Sequence, residues 1–75
     1  MDKQTKKVVN HLFRQIDKNY GISKIELQSE RRYKELVKFR QFFSVFLKTE
    51  YGMFLVDIGK QLNRDHSTII NLLKK

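Results

Sequence analysis

The sequence predicts an all-α fold, a small helical domain of four to five helices that ends in a helix-turn-helix. Three observations support this prediction. Apolar residues recur at three- and four-residue spacing in the longer segments, and the chain contains no proline. Gly21 and Gly52 divide the chain into segments. The last segment contains two short helical patterns joined by a tight turn.

Length and composition limit what this domain can contain. The chain has 75 residues, enough for one small domain over 1–75. It has no cysteine, and His11 and His66 lie too far apart in sequence to form a helical metal pair. We therefore expect neither a metal nor another cofactor. The core must come from apolar side chains, among them six Phe and three Tyr.

The first predicted helix covers residues 4–20 and ends at Gly21, which is suited to a C-terminal cap. Its apolar residues recur at helical spacing: Val8, Val9, Leu12, Phe13, Ile16 and Tyr20. Ser23 is expected to cap a short helical turn, Lys24–Gln28, that presents Ile25 and Leu27 to the core. The polar residues 29–35 predict a loop.

The longest predicted helix covers residues 36–51 and ends at Gly52. Its apolar stripe predicts core packing and consists of Leu36, Phe39, Phe42, Phe43, Phe46 and Leu47. The opposite face carries Lys38, Gln41 and Lys48, with Arg40 and Ser44 alongside. Such a charged face can be simply solvated, so it does not establish a function by itself.

The predicted helix-turn-helix occupies residues 54–74, as helices over 54–62 and 65–74 separated by Asn63 and Arg64. The apolar residues expected to pack between the two helices are Ile58, Leu62, Ile69, Ile70 and Leu73. Gly59 has no side chain and would let the helices approach closely. Asp65 stands where the second helix needs an N-cap, so its carboxylate is expected to accept from first-turn amides.

The charge of the chain indicates a polyanionic partner. Sixteen Lys and Arg against eight acidic residues give a net charge of +8. Nucleic acid and an anionic membrane surface both fit such a charge, and a merely soluble basic domain is the plainer alternative. No stretch approaches the roughly 20 apolar residues of a membrane span.

A polar cluster begins the second helix of the helix-turn-helix. Arg64-Asp65-His66-Ser67-Thr68 brings donors and acceptors to one helix N-terminus. In helix-turn-helix proteins this end of the recognition helix enters the major groove, where such side chains can bond base edges. A simple capping sequence of Asp and Ser/Thr is the alternative, and the cluster alone does not decide between them.

From Tyr20 to its end, the chain resembles the C-terminal DNA-binding domain, domain IV, of the DnaA family of bacterial chromosomal replication initiators. Four stretches carry the resemblance in the right order: YGISKIEL (20–27), Arg31-Arg32, Arg40-Gln41, and IGKQLNRDHST (58–68). The last is the most specific. The resemblance implies a Trp-repressor-like helix-turn-helix that recognises replication-origin boxes in double-stranded DNA.

The resemblance also implies residue roles. Arg32 is similar to the arginine that reads an A/T-rich step from the minor groove. The implied major-groove readers are Asp65, His66, Ser67 and Thr68. The implied contacts to the DNA backbone are Arg40, Gln41, Lys48, Leu55, Val56 and Arg64, with Leu55 and Val56 acting through main-chain amides.

The chain departs from the family pattern at several positions. Asn63 stands where many members have two glycines, so the turn is one residue shorter; Asn can adopt the left-handed conformation itself. Ser67 replaces a common Thr, and Phe39 and Val56 stand where prolines are frequent. Residues 33–35 are bulkier and less basic than usual. These departures leave the preferred DNA sequence open.

The predicted function is sequence-specific binding of double-stranded DNA without nucleotide, because the chain lacks a GxxxxGK[ST] phosphate loop. A stand-alone regulator with a different DNA site is an alternative. Anionic lipid, contacted by the basic first helix, is another alternative or a secondary partner. No nucleophile or metal set accompanies Asp65-His66, so we do not predict an enzyme. We expect a monomer located in the cytoplasm on the nucleoid.

Overall fold

The computed structural model describes residues 3–74, and all regular structure in this range is helical. The five helices are α1 (Lys3–Tyr20), α2 (Lys24–Gln28), α3 (Lys34–Tyr51), α4 (Leu55–Leu62) and α5 (His66–Leu73). The predicted all-α class is therefore confirmed. The main difference in boundaries is that α3 begins two residues earlier than predicted, because Lys34 and Glu35 join its first turn.

The two long helices form the centre of the domain. The buried residues of α1 face α3, and the Phe13 and Phe43 rings lie 4.6 Å apart. At the end of α1 the ring of Tyr20 lies 4.7 Å from that of Phe39. The buried apolar core draws on all five helices and comprises Val9, Leu12, Phe13, Ile16, Leu27, Leu36, Phe43, Leu47, Met53, Ile58, Leu62, Ile69 and Leu72.

The helix ends follow the predicted signals. Gly21 and Gly52 adopt φ of 69° and 58°, the left-handed conformation that ends α1 and α3. Ser23 caps α2 in a reciprocal capping box with Glu26: the Ser23 hydroxyl accepts from the Glu26 amide, and the Glu26 carboxylate accepts from the Ser23 amide.

Two apolar residues predicted for the core lie elsewhere. Ile25 is 81% exposed, because α2 offers one narrow side to the core and Leu27, two positions away, occupies it. Phe42 is 50% exposed, since the predicted stripe on α3 is wider than the surface that α1, α2, α4 and α5 cover. Phe39 and Phe46, at the edges of that stripe, are partly buried.

The tight turn between α4 and α5 depends on two small features. Asn63 adopts the expected left-handed conformation, with φ of 55°. The Arg64 amide then donates to the carbonyl of Gly59 over 2.7 Å. A Cβ at Gly59 would lie 2.5 Å from the carbonyl oxygen of Arg64, so the close approach is between α4 and the turn, rather than between the two helices.

Candidate nucleic-acid interface

The loop that carries Arg32 is hydrogen-bonded to the end of α4 and the turn before α5. The side-chain amide of Gln28 donates to the carbonyl of Gln61 over 2.7 Å, and that of Asn63 donates to the carbonyl of Gln28 over 3.5 Å. The guanidinium of Arg64 donates to the carbonyl of Ser29. These bonds bring residues 29–33, which we call the arginine loop, beside the start of α5.

The side chains predicted to read the major groove lie at this end of α5. Asp65, His66 and Ser67 are exposed, and Thr68 is half-buried. Asp65 has the backbone conformation of an N-cap, and its carbonyl accepts from the Thr68 amide over 3.0 Å. The predicted capping by its carboxylate is wrong: Oδ1 of Asp65 instead lies 3.0 Å from Nδ1 of His66.

In both helices of the helix-turn-helix, the side chain of the N-cap residue makes no capping hydrogen bond. At α4 that residue is Phe54, an apolar side chain, and at α5 it is Asp65, whose carboxylate bonds His66 instead. Uncapped first-turn amides can donate to a phosphate. Leu55 and Val56 are the first two residues of α4, as their predicted main-chain role requires.

Three arginines line one side of an open cleft of about 330 Å³ between the arginine loop and α5. Its lining includes Arg32, Arg40 and Arg64 from one side and Thr68 and Asn71 from α5. Burial lowers the pKa of Arg40, and the positive charges of Arg64 and Arg32 lower it further. The cleft thus concentrates positive charge that an anion would balance.

The helical pattern predicts Arg40 and Ser44 near the outer face of α3, and the structure corrects this prediction. Arg40 is only 3% exposed and Ser44 is fully buried, with the Ser44 hydroxyl donating to the carbonyl of Arg40 over 2.8 Å. Arg40 is buried because its guanidinium donates to carbonyl groups of α2 and the arginine loop, which cover this part of α3.

The remaining polar residues of α3 do not form one uniform strip. The side-chain amide of Gln41 donates to the carbonyl of Leu72 over 3.2 Å and so ties α3 to the end of α5. Lys48 lies seven residues later on the same side of the helix and is exposed. Lys38 instead borders a groove between α1 and α3, together with Tyr20 and Phe42.

The structure adds Asn71 to the residues that sequence reasoning selected. It is exposed on α5, one turn beyond Ser67, and lines the cleft between the arginine loop and α5. Its signal in the sequence was an amide side chain four residues after Ser67, which places both on one face of a helix. An asparagine can bond adenine through two hydrogen bonds in the major groove.

Other kinds of site find little support within residues 3–74. No group of three or more His, Cys, Asp or Glu side chains in this range could hold a metal ion. None of the helices described is both long and apolar enough to cross a membrane.

Comparison with known proteins agrees with the geometry. The family model described as the bacterial DnaA protein helix-turn-helix matches residues 9–75. The chromosomal replication initiator protein DnaA of Oleidesulfovibrio alaskensis is 39% identical over 62 residues, which cover 83% of this chain and 13% of that protein. The protein of the same name from Xanthobacter autotrophicus is 34% identical over 68 residues, which cover 89% of this chain and 13% of the relative. No solved structure matches the chain significantly.

The chain spans only about 13% of the length of these relatives. The match nevertheless extends over nearly all of its own length and includes both helices of the helix-turn-helix and the arginine loop. The chain therefore belongs to the family of the bacterial DnaA protein helix-turn-helix.

Proposed function

We propose that this chain binds double-stranded DNA sequence-specifically, with α5 in the major groove and Arg32 in the adjacent minor groove. The observation that carries the proposal is the hydrogen-bonded junction between the arginine loop and the turn before α5. Arg32 is exposed and has no hydrogen-bond partner among residues 3–74, so its guanidinium is available for DNA. Family membership supports this function because the relatives are replication initiators by name.

The proposed base contacts come from the exposed end of α5. If Nδ1 of a neutral His66 carries the proton toward Asp65, Nε2 is left as an acceptor for the amino group of adenine or cytosine. Ser67 and Thr68 can donate or accept, and Asn71 extends the reading surface by one helical turn. Arg32 would favour A/T pairs through the negative potential of a narrow minor groove.

The proposed backbone contacts surround these readers. Lys48 offers an exposed ammonium, and Leu55 and Val56 offer the first amides of α4 to a phosphate. Arg64 and Gln41 are half-buried and already donate to the carbonyls of Ser29 and Leu72, so each would contact DNA while also holding the domain together. Arg40 has almost no surface of its own to offer a phosphate.

Within this proposal, the cellular role is recognition of short boxes of the kind found at replication origins. A cytoplasmic location on the nucleoid would follow. The alternative role is that of a transcriptional or replication regulator that binds a different DNA sequence, since Asn63 and Ser67 alter the turn and the recognition helix. Both roles use the same surface and differ in the DNA sequence that is bound.

Selection of bound sites from random duplex DNA tests the proposal. We expect one short asymmetric site, A/T-rich at one end, bound with at least 10³-fold preference over random duplex, the lower end of the usual specificity range. Binding must not require ATP. Equal binding to all duplexes would contradict sequence-specific recognition, and an inverted repeat would favour a dimeric regulator.

Binding to anionic lipid through α1 has less structural support. The apolar residues that would enter a bilayer, Val9, Leu12, Phe13 and Ile16, are buried in the core. Lipid binding by this face would therefore require α1 to leave the domain. Flotation with vesicles containing anionic lipid, run beside a DNA gel shift, separates the two activities.

A further inference from the structure

We propose that Arg40 is a positioning residue: it fixes the backbone that presents Arg32, and it supports DNA recognition through Arg32 rather than by touching phosphate. This inference rests on the proposed function and concerns the same surface. It assigns to Arg40 a role different from the backbone contact that the family resemblance implies.

The hydrogen bonds of Arg40 carry the inference. Its Nε donates to the carbonyl of Leu27 over 2.8 Å, and its Nη1 donates to the carbonyl of Arg31 over 2.7 Å. Its Nη2 donates to the carbonyls of Glu26 and Ser29 over 3.2 and 2.9 Å. One guanidinium, which has five N–H groups, thus donates four hydrogen bonds to the end of α2 and the arginine loop.

Two of these acceptors determine where Arg32 lies. The carbonyl of Arg31 belongs to the peptide group that continues into Arg32, so a bond to its oxygen fixes the plane from which the Arg32 backbone departs. The carbonyl of Ser29 also accepts from Arg64, which immediately precedes Asp65 and α5. Arg40 therefore holds the arginine loop against the start of the recognition helix.

Burial and charge explain why an arginine is needed here. The side chain is 3% exposed, which leaves little surface for a phosphate oxygen. Charge-assisted bonds to four carbonyls compensate the buried positive charge, and the planar fork can reach acceptors on several sides at once. Burial lowers the pKa of Arg40, yet an arginine remains protonated at neutral pH. A lysine would keep the charge but could not reproduce this geometry.

The test is a double-mutant cycle between Arg40→Lys and Arg32→Ala, measured on the selected site and on a variant with G/C pairs at its A/T end. We expect Arg40→Lys to lose the A/T preference as Arg32→Ala does, each at a cost of about tenfold in affinity. Since Arg40 acts through Arg32, the double variant should bind within about twofold of Arg32→Ala alone.

Lys48→Gln is the matched control, because it removes an exposed cation from the same helix. It should weaken binding equally with Arg32 present or absent and leave the A/T preference intact. If Arg40→Lys behaves like Lys48→Gln, or if the losses from Arg40→Lys and Arg32→Ala multiply, the positioning role is refuted. If Arg40→Lys only impaired folding, its fold-loss in affinity would be the same with Arg32 present or absent. The cycle therefore separates a positioning role from a general effect on stability.

A measurement on the unsubstituted protein covers the case in which Arg40→Lys does not fold. In NMR spectra of the free chain, the Arg40 guanidinium protons should be resolved and exchange slowly, with a scalar coupling from Nε to the Leu27 carbonyl carbon. They should remain nearly unshifted when DNA is added. Free rotation of the guanidinium in the unbound protein, or a large shift on DNA binding, would overturn the inference.

The two proposals fail in different ways. Absence of any preferred site in the unsubstituted protein refutes the proposed function and the positioning role with it. A preferred site with an A/T end, combined with an Arg40→Lys variant that keeps the A/T preference, refutes only the positioning role.

Discussion

The contact between Asp65 and His66 limits which hydrogen bonds the exposed end of α5 can offer. Oδ1 of Asp65 lies 3.0 Å from Nδ1 of His66 while both side chains remain more than half exposed. The contact therefore orients the imidazole without removing it from solvent. A ring held in this way would lose little further conformational freedom in the proposed contact with a base edge.

Replacing His66 with Ala tests its proposed reading of a base. We expect a loss of about 1–3 kcal/mol on the preferred site, because a base-edge contact disappears. Affinity for scrambled duplex and its salt dependence should stay nearly unchanged, since neither depends on base contacts. Titrations against both duplexes at several salt concentrations make the comparison. An equal loss on both duplexes would place His66 at the backbone.

Replacing Lys48 with Ala should produce the opposite pattern. Lys48 is exposed and is proposed to meet a phosphate, so its loss should weaken binding to all duplexes alike. The slope of log affinity against log salt should fall in magnitude by about 0.9 for one lost phosphate contact. An unchanged slope with a loss confined to the preferred site would show that Lys48 reads a base instead.

The packing of α4 against the turn that follows it depends on Gly59. Gly59 lies in the interior of α4, and its Cα faces the carbonyl of Arg64 so closely that a Cβ would stand 2.5 Å from that oxygen. That oxygen belongs to the main chain, so it cannot move aside as a flexible side chain would. The turn and the direction of α5 therefore depend on the missing side chain.

We expect Gly59→Ala to lower the free energy of unfolding by about 1–3 kcal/mol, the usual cost of overpacking. This range is the net change, after the roughly 0.5–1 kcal/mol that alanine gains over glycine inside a helix has offset part of the steric cost. Urea unfolding followed by circular dichroism measures the change. Lys60→Ala, at the exposed neighbouring position, is the control and should stay within about 0.5 kcal/mol. Equal stability of Gly59→Ala and the parent chain would contradict the close approach.

Most elements of this fold could be predicted from the sequence because short-range signals define them. Helical spacing located the long helices, and glycine and serine signals located their ends and the cap of α2. The wrong predictions of core and surface have one cause. Side chains were assigned to the core or the surface by residue type, whereas Ile25 is exposed and Arg40 is buried. Only the contacts between elements decide such cases.

In the candidate site, too, local sequence signals could be read in advance, whereas contacts between elements could not. Residues at the start of α5 could be located because the family signature is continuous in sequence and lies at one helix N-terminus. The hydrogen bonds from Arg40 to the arginine loop could not be predicted from the sequence. Their acceptors are main-chain carbonyls 9–14 residues away, which have no sequence signature. Likewise, the sequence Asp65-His66 does not show whether the Asp65 carboxylate caps the first-turn amides of α5 or contacts the imidazole of His66.

For the whole molecule we expect a monomer in solution. The exposed large apolar side chains of the described residues are spread over α1, α2, α3, α4 and the loops before α3 and α4, and α3 carries three of them, Phe42, Val45 and Tyr51. A net charge of +8 also opposes association of two copies. Sedimentation equilibrium at low salt should give the mass of one chain. A stable dimer in the absence of DNA would refute this expectation.

In the proposed complex, the carbonyl of Ser29, which accepts from both Arg40 and Arg64, would fix the spacing between the two parts of the DNA site. Because Arg32 is not on a free arm, the protein would set the distance from the proposed A/T step to the bases under α5. One extra base pair between them shifts the step by about 3.4 Å and rotates it by roughly one-tenth of a turn. Such a site should bind no better than one whose A/T step is replaced by G/C pairs, whereas a flexible arm would tolerate the insertion.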